Sequence, residues 1–189
     1  MAKRVCPWWM GYLLVSPLRR WLRKEDPTQI LAPYVREGMT VLEPGPGMGF
    51  FTLELARRVG PSGRVIAVDI QRRMIAGLKR RTAKAGLGDR VETRLVGSGS
   101  LGLDDLAGRV DFTLAFALVH EMPDAANFFR EAATASKPGA LLLLAEPSGH
   151  VKPEEFELEL KQAAEAGFIL ADRPSVPHSR AVLLKKGQT

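Results

Sequence analysis

The sequence predicts an α/β fold, a mixed seven-stranded sheet with helices on both faces and an antiparallel last strand. Three observations lead there. Short apolar runs alternate with stretches of helical periodicity, the pattern of parallel strands joined by crossover helices. Two of the runs, 110–117 and 140–146, are almost continuously apolar, as strands covered on both faces must be. The last two runs are joined only by residues 173–179, too short for a crossover of about a dozen residues, so they must pair as an antiparallel hairpin.

The elements follow in order. A helix is expected over 27–36, because Pro27 suits a first turn, where its missing N–H would find no helical partner anyway. The run 39–44 reads as a strand entering the glycines of 45–49, with a helix over 49–59 behind them. A second strand, 64–69, leads to a helix over 71–85 that stops at Gly86. Strands at 90–96 and 110–117 follow, then a helix at 123–136 and the strand 140–146. A helix over 153–166, opened by Pro153 and closed by Gly167, precedes the strands 167–172 and 180–186.

At 189 residues with 46% hydrophobic content, the chain fits one domain with a single core. The expected organisation is an N-terminal lid or substrate-side segment, 1–26, ahead of a ligand-binding domain, 27–189. One cysteine, Cys6, excludes an internal disulfide framework and a multi-cysteine zinc site, and it reads as an incidental thiol. No run reaches the roughly 18–20 apolar residues of a membrane span, and no N-terminal stretch has the order of a secretory signal; a cytoplasmic protein with no transmembrane segment is expected. Trp8, Trp9, Met10 and Tyr12, followed by Arg19, Arg20, Arg23 and Lys24, fit either a lid over a cleft or a peripheral membrane contact.

Charge is uneven: residues 1–100 carry 18 Lys+Arg and 8 Asp+Glu, residues 101–189 carry 9 and 13. Such asymmetry suits a polyanionic partner. Yet Arg72, Arg73, Lys79, Arg80, Arg81 and Lys84 share one helical stretch with apolar Met74, Ile75 and Leu78, the pattern of a solvated helix face. No aromatics interleave with them as stacking platforms, which argues against nucleic acid.

The most specific feature is Glu43-Pro44-Gly45-Pro46-Gly47-Met48-Gly49, with Asp69 closing the next apolar run. A strand, a Gly-rich turn, a helix and an acid at the next strand end form a nucleotide-binding unit. The dinucleotide fingerprint needs a third glycine where Phe50 stands, and Glu43 would repel a pyrophosphate. A ligand with an ammonium and a sulfonium would be attracted instead.

These residues resemble the class I S-adenosyl-L-methionine-dependent methyltransferases, whose first motif is an acid followed by Gly-x-Gly-x-Gly and whose second is an acid ending strand two. The resemblance extends through residues 111–124 and Lys137-Pro138-Gly139, covering about 28–186, and it implies a Rossmann-like sheet. It also implies S-adenosyl-L-methionine as cofactor, S-adenosyl-L-homocysteine as product and a small-molecule methyl acceptor. By the same resemblance Gly45, Gly47 and Gly49 pass close to the methionine part, Glu43 attracts its ammonium, Asp69 accepts from the ribose hydroxyls, and Ile70 lies against adenine. Gly97, Ser98 and Ala117 complete the cofactor set, with Ser98 standing where many relatives carry an acid for the adenine amino group. Asp69 also suits a helix N-cap ahead of Gln71. The glycines of 97–99 predict a flexible loop.

His120 and Glu121, after strand four, are the candidate catalytic residues, with Glu146 and His150 as further groups facing the acceptor. A histidine of near-neutral pKa can take the proton from an attacking oxygen or nitrogen; a structural histidine packing the turn is the alternative. The four side chains are not read as a metal site, because neighbours at a strand end point apart. An acceptor of apolar or aromatic character fits the Trp8, Trp9, Tyr12 cluster. RNA or protein methyl transfer, a noncatalytic S-adenosylmethionine sensor or partner, and a dehydrogenase are the competing readings.

Overall fold

The computed structural model describes residues 25–188. All of the expected N-terminal lid but Glu25 and Asp26 lies outside the described residues, as do the aromatic cluster and Cys6. Seven strands form one mixed sheet in the order β3-β2-β1-β4-β5-β7-β6, and the chain divides into two compact units that meet in sequence at Val96 and Gly97. Among the described residues, no helix is long and apolar enough to cross a membrane.

In the first unit α1 spans Pro27–Leu31, β1 Thr40–Pro44, α2 Thr52–Val59, β2 Arg64–Asp69, α3 Arg72–Lys84 and β3 Val91–Leu95. The first helix was expected to reach residue 36 but ends at Leu31. Pro33 supplies no N–H for another turn, although Ala32 before it still has right-handed helical angles, φ −53° and ψ −39°. Asp26 caps this helix, accepting the Thr28 N–H at 3.0 Å. β1 pairs parallel with β2, Glu43 opposite Ala67, and β2 pairs parallel with β3. Leu42, Val65 and Ile66 of the strands and Leu55, Val59 and Leu78 of the helices are fully buried, so α2 and α3 hold their apolar faces against the strands.

In the second unit β4 spans Val110–Phe116, α4 Ala125–Ala135, β5 Ser136–Pro147, α5 Pro153–Glu165, β6 Phe168–Asp172 and β7 Ser179–Lys186. β4 and β5 run parallel, and β7 is antiparallel to both β5 and β6, as the short final connection requires. β5 begins four residues earlier than its apolar run, because Ser136 pairs with Val110 before the register shifts to Phe112 opposite Leu141. Residues 137–139 form the irregularity: Pro138 cannot donate to the ladder, and Gly139 has φ +78°. Phe129 of α4 and Phe168 of β6 stack edge to face, ring centres 6.5 Å apart, at the centre of this core.

Candidate functional site

The Gly-rich turn between β1 and α2 is built on positive backbone angles. Gly45, Gly47 and Gly49 have φ of +64°, +54° and +86°, which side-chain-bearing residues rarely adopt. Two of them are anchored: the Gly45 N–H donates to the Val68 carbonyl at 2.8 Å and the Gly49 N–H to the Pro46 carbonyl at 2.9 Å. A Cβ on Gly49 would fall 2.6 Å from Leu78 Cδ1, so this glycine lets α3 close on the turn. At Gly47 a Cβ would meet nothing within 4 Å. The N–H groups of Gly47 and Met48 have no acceptor among the described residues. Among the described residues this leaves an open side and two N–H groups without acceptors, a backbone arrangement of the kind that can take an anionic group.

Glu43 ends β1 beside this turn. The residue is 3% exposed, and Oε2 has no hydrogen-bond partner among the described residues. Burial pushes its pKa up to about 8, with the Thr52 hydroxyl opposing the rise and the charge of Asp69 adding to it. A buried acid in this condition is complementary to a cation. Asp69, at the carboxyl end of β2, accepts the Gln71 N–H at 2.8 Å through Oδ1, a local turn ahead of α3 rather than the helix cap offered as its alternative role. Gln71 is the N-cap residue of α3. Ile70 follows with 43% of its surface exposed, an apolar platform next to the acid. Phe50, where a dinucleotide site would need glycine, packs edge to face on Phe51 with ring centres 5.1 Å apart.

The turn is backed by a residue that the sequence hides. Arg81, one of six cations in its stretch, does not share the solvated face. Its guanidinium donates to the Met48 carbonyl, and partial burial lowers its pKa. Arg72, Arg73, Lys79, Arg80 and Lys84 are exposed as expected.

The second unit holds the other candidates. β4 ends at Ala117, whose φ of +53° turns the chain out of the strand while its N–H donates to the Ala145 carbonyl at 2.7 Å. A short 3₁₀ turn, Val119–Glu121, then presents His120 and Glu121. His120 Nδ1 is hydrogen-bonded to Glu146 Oε2, while Glu146 Oε1 accepts the N–H groups of Leu118 at 3.1 Å and Val119 at 2.6 Å. Glu146 was expected to face an acceptor. Instead it is fully buried with both oxygens engaged, because the parallel register of β4 and β5 sets it under the 118–120 turn.

This network assigns the proton of a neutral His120 to Nδ1 and leaves Nε2 at the outer end, 4.0 Å from Glu121 Oε1. Burial alone would lower the His120 pKa, but the hydrogen bond and charge of Glu146, with Glu121 and Glu159 behind them, raise it above the ordinary value. The His150 ring lies 6.5 Å from that of His120. Among the described residues, no group of three or more His, Cys, Asp or Glu is placed to hold a metal ion.

Gly97 and Ser98 are exposed at the start of the second unit. The loop beyond them was expected to be flexible, yet it is tied to α4: Asn127 Nδ2 donates to the Gly99 carbonyl at 2.8 Å, and Glu131 Oε2 accepts the Leu101 N–H at 2.6 Å. Asn127 and Glu131 lie one helical turn apart and share a 2.7 Å hydrogen bond. Their spacing of four on the helix was the available signal.

Residues 35–175 match a family model described as a methyltransferase domain. The fold is similar to that of a SAM-dependent methyltransferase from Aquifex aeolicus, with TM-score 0.84 and 27% identity over 96% of this chain and 99% of that one. The chain is 31% identical over 119 residues to the ubiquinone/menaquinone biosynthesis C-methyltransferase UbiE of Hahella chejuensis, covering 63% of this chain and 47% of that protein. It is 36% identical over 118 residues to the ribosomal protein L11 methyltransferase of Pelotomaculum thermopropionicum, covering 61% of this chain and 34% of that protein. The chain thus spans less than half the length of these two relatives.

Proposed function

The chain belongs to the methyltransferase domain family, and on that premise we propose that it is an S-adenosylmethionine-dependent methyltransferase acting on a small acceptor. The observation that carries the reading is the buried Glu43 carboxyl, one oxygen of which has no partner among the described residues, beside a turn with two N–H groups that find no acceptor among them. An amino acid's ammonium and carboxylate are complementary to those two features. Glu43 would attract the ammonium, the Gly47 and Met48 N–H groups the carboxylate, Asp69 the ribose hydroxyls, and Ile70 the adenine face. Gly97, Ser98 and Ala117 belong to the same proposed set.

When bound, S-adenosylmethionine supplies a methyl group made electrophilic by its sulfonium, and S-adenosylhomocysteine is the product. Methyl transfer then needs an aligned nucleophile more than an acid. His120 would take the acceptor's proton at Nε2, with Glu146 holding the ring in that tautomer and stabilising the imidazolium that forms. Glu121, on the same turn, adds negative charge near that proton. An oxygen or nitrogen acceptor of apolar or aromatic character in a cytoplasmic protein completes the reading, with segment 1–26 as its acceptor-side lid.

Calorimetry with S-adenosylhomocysteine and with NAD tests the cofactor assignment. Binding of the first and not the second is expected, and the reverse overturns it. Homocysteine release across a panel of small hydroxyl and amine acceptors then separates an enzyme from a sensor, which binds without turnover. A second reading, methyl transfer to RNA or ribosomal protein, is favoured by the five exposed cations of α3, a helix without an acidic residue. It requires polyanion binding with a steep salt dependence.

A further inference from the structure

We propose that Arg81 is a positioning residue for the cofactor turn, fixing the Met48–Gly49 peptide so that the neighbouring N–H groups stay aimed at the ligand. The proposal rests on the cofactor reading above.

The Met48–Gly49 peptide is gripped from both sides. Its carbonyl accepts the Arg81 guanidinium, from 33 residues further along the chain, and its N–H donates to the Pro46 carbonyl at 2.9 Å. A rotation of that peptide would break both hydrogen bonds at once. Such rotation is otherwise easy here, because Gly47, Met48 and Gly49 lie in a turn where two glycines hold positive φ and nothing fills the space above Gly47. The N–H groups of Gly47 and Met48 precede the gripped peptide, so their direction depends on how it is held.

The rest of the α3 face agrees. Gly77 and Leu78 meet the same turn: a Cβ on Gly77 would come within 3.1 Å of Met48 Cγ, and Leu78 fills the space that Gly49 leaves. A glycine inside a 13-residue helix is unfavourable by about 1 kcal/mol relative to alanine, so its presence points to the seat it leaves for Met48. Positions 77, 78 and 81 share one side of α3, and only Arg81 delivers charge to the turn. A guanidinium bonded to a carbonyl is a charge-assisted contact, stronger than the neutral bonds that hold the other turn peptides.

The alternative is that Arg81 only fastens α3 to the turn and adds stability. Two substitutions, Arg81→Met and Arg81→Lys, distinguish the cases. Positioning predicts that R81M weakens S-adenosylhomocysteine binding by about 10-fold at 20 °C, leaves kcat at saturating donor within about twofold, and that R81K restores most of the affinity. It also predicts faster amide hydrogen exchange at Gly49 in ligand-free R81M, read by NMR. A lowered Tm with unchanged affinity and unchanged Gly49 exchange overturns the proposal. If R81M does not fold, Arg81→Gln, shorter and uncharged, carries the test: Gly49 exchange faster than wild type supports it, and equality overturns it. Should wild-type protein not bind S-adenosylhomocysteine at all, the cofactor reading falls, while the Gly49 comparison still reports whether Arg81 holds the turn.

Discussion

Each unit contains a buried carboxyl group at the end of a strand, and the two are treated in opposite ways. Glu146, fully buried, is satisfied by three donors: two backbone N–H groups and the His120 ring. Glu43, equally hidden, has an oxygen with no partner and a pKa pushed up to about 8. An unmade hydrogen bond on a buried polar group costs about 1–3 kcal/mol, so Glu43 persists at a local loss and Glu146 does not. The contrast separates two uses of a buried acid. One is finished within the chain and holds a neighbour; the other, on the proposed reading, is left for a ligand to complete.

Disturbing Glu146 is expected to give the largest effect. In E146Q the side chain keeps its size and can still accept from Leu118 and Val119, but its amide faces His120 Nδ1 and forces the other tautomer. With Nε2 then carrying the proton, kcat should fall by about 10²–10⁴-fold with the fold retained, as steady-state kinetics and circular dichroism would show. Unchanged turnover would break the positioning half of the comparison. Replacing His120 by Ala should cost the same, about 10²–10⁴-fold in kcat, and an unchanged kcat would leave His120 a structural group.

The His120–Glu146 pair also sets a pH dependence. Because the His120 pKa is raised, the ring is protonated up to a pH above its ordinary 6.5, and a protonated ring cannot act as base. The rate should therefore rise with pH, with a midpoint above 6.5 in wild type and no such limb in H120A. A profile flat from pH 6 to 9 contradicts the proton-transfer role.

For Glu43 the predicted effects are smaller and of opposite sign in binding and stability. A folded-state pKa raised from 4.5 to about 8 means that ionisation is unfavourable in the folded chain. Its stability contribution is present below about pH 4.5 and is lost as pH rises through about 8. E43Q removes that loss, so the ligand-free variant should exceed wild type in stability at pH 9 by on the order of a few kcal/mol, and by nothing near pH 4. The same change should weaken cofactor binding by about 10-fold. Denaturant melts at the two pH values check the first, and calorimetry the second. A variant less stable at pH 9 would show Glu43 to be a structural acid like Glu146.

The two halves of this comparison were unequally legible in the sequence. Glu43, the three glycines and Asp69 lie within one strand-turn-helix-strand stretch, so local spacing exposes them. The exposed Ile70 beside Asp69 follows from the same stretch. The pairing of His120 with Glu146 spans 26 residues and depends on the register between β4 and β5, which no local pattern encodes. Both residues were visible as strand-end polar groups, but not that one is buried beneath the other. Arg81 was hidden differently: among the cations of α3 nothing in composition marks the one that turns inward. The early end of α1 was readable at Pro33, and the early start of β5 was not, because Pro138 and Gly139 look like a turn rather than an irregular strand.

The central claim is that Glu43 is held protonated until a cationic ligand ionises it. The direct test is calorimetric binding of S-adenosylhomocysteine at pH 7 in two buffers of different ionisation enthalpy, comparing wild type with E43Q. Binding to wild type should release about one proton, and binding to E43Q none. Binding to wild type without proton release would contradict it.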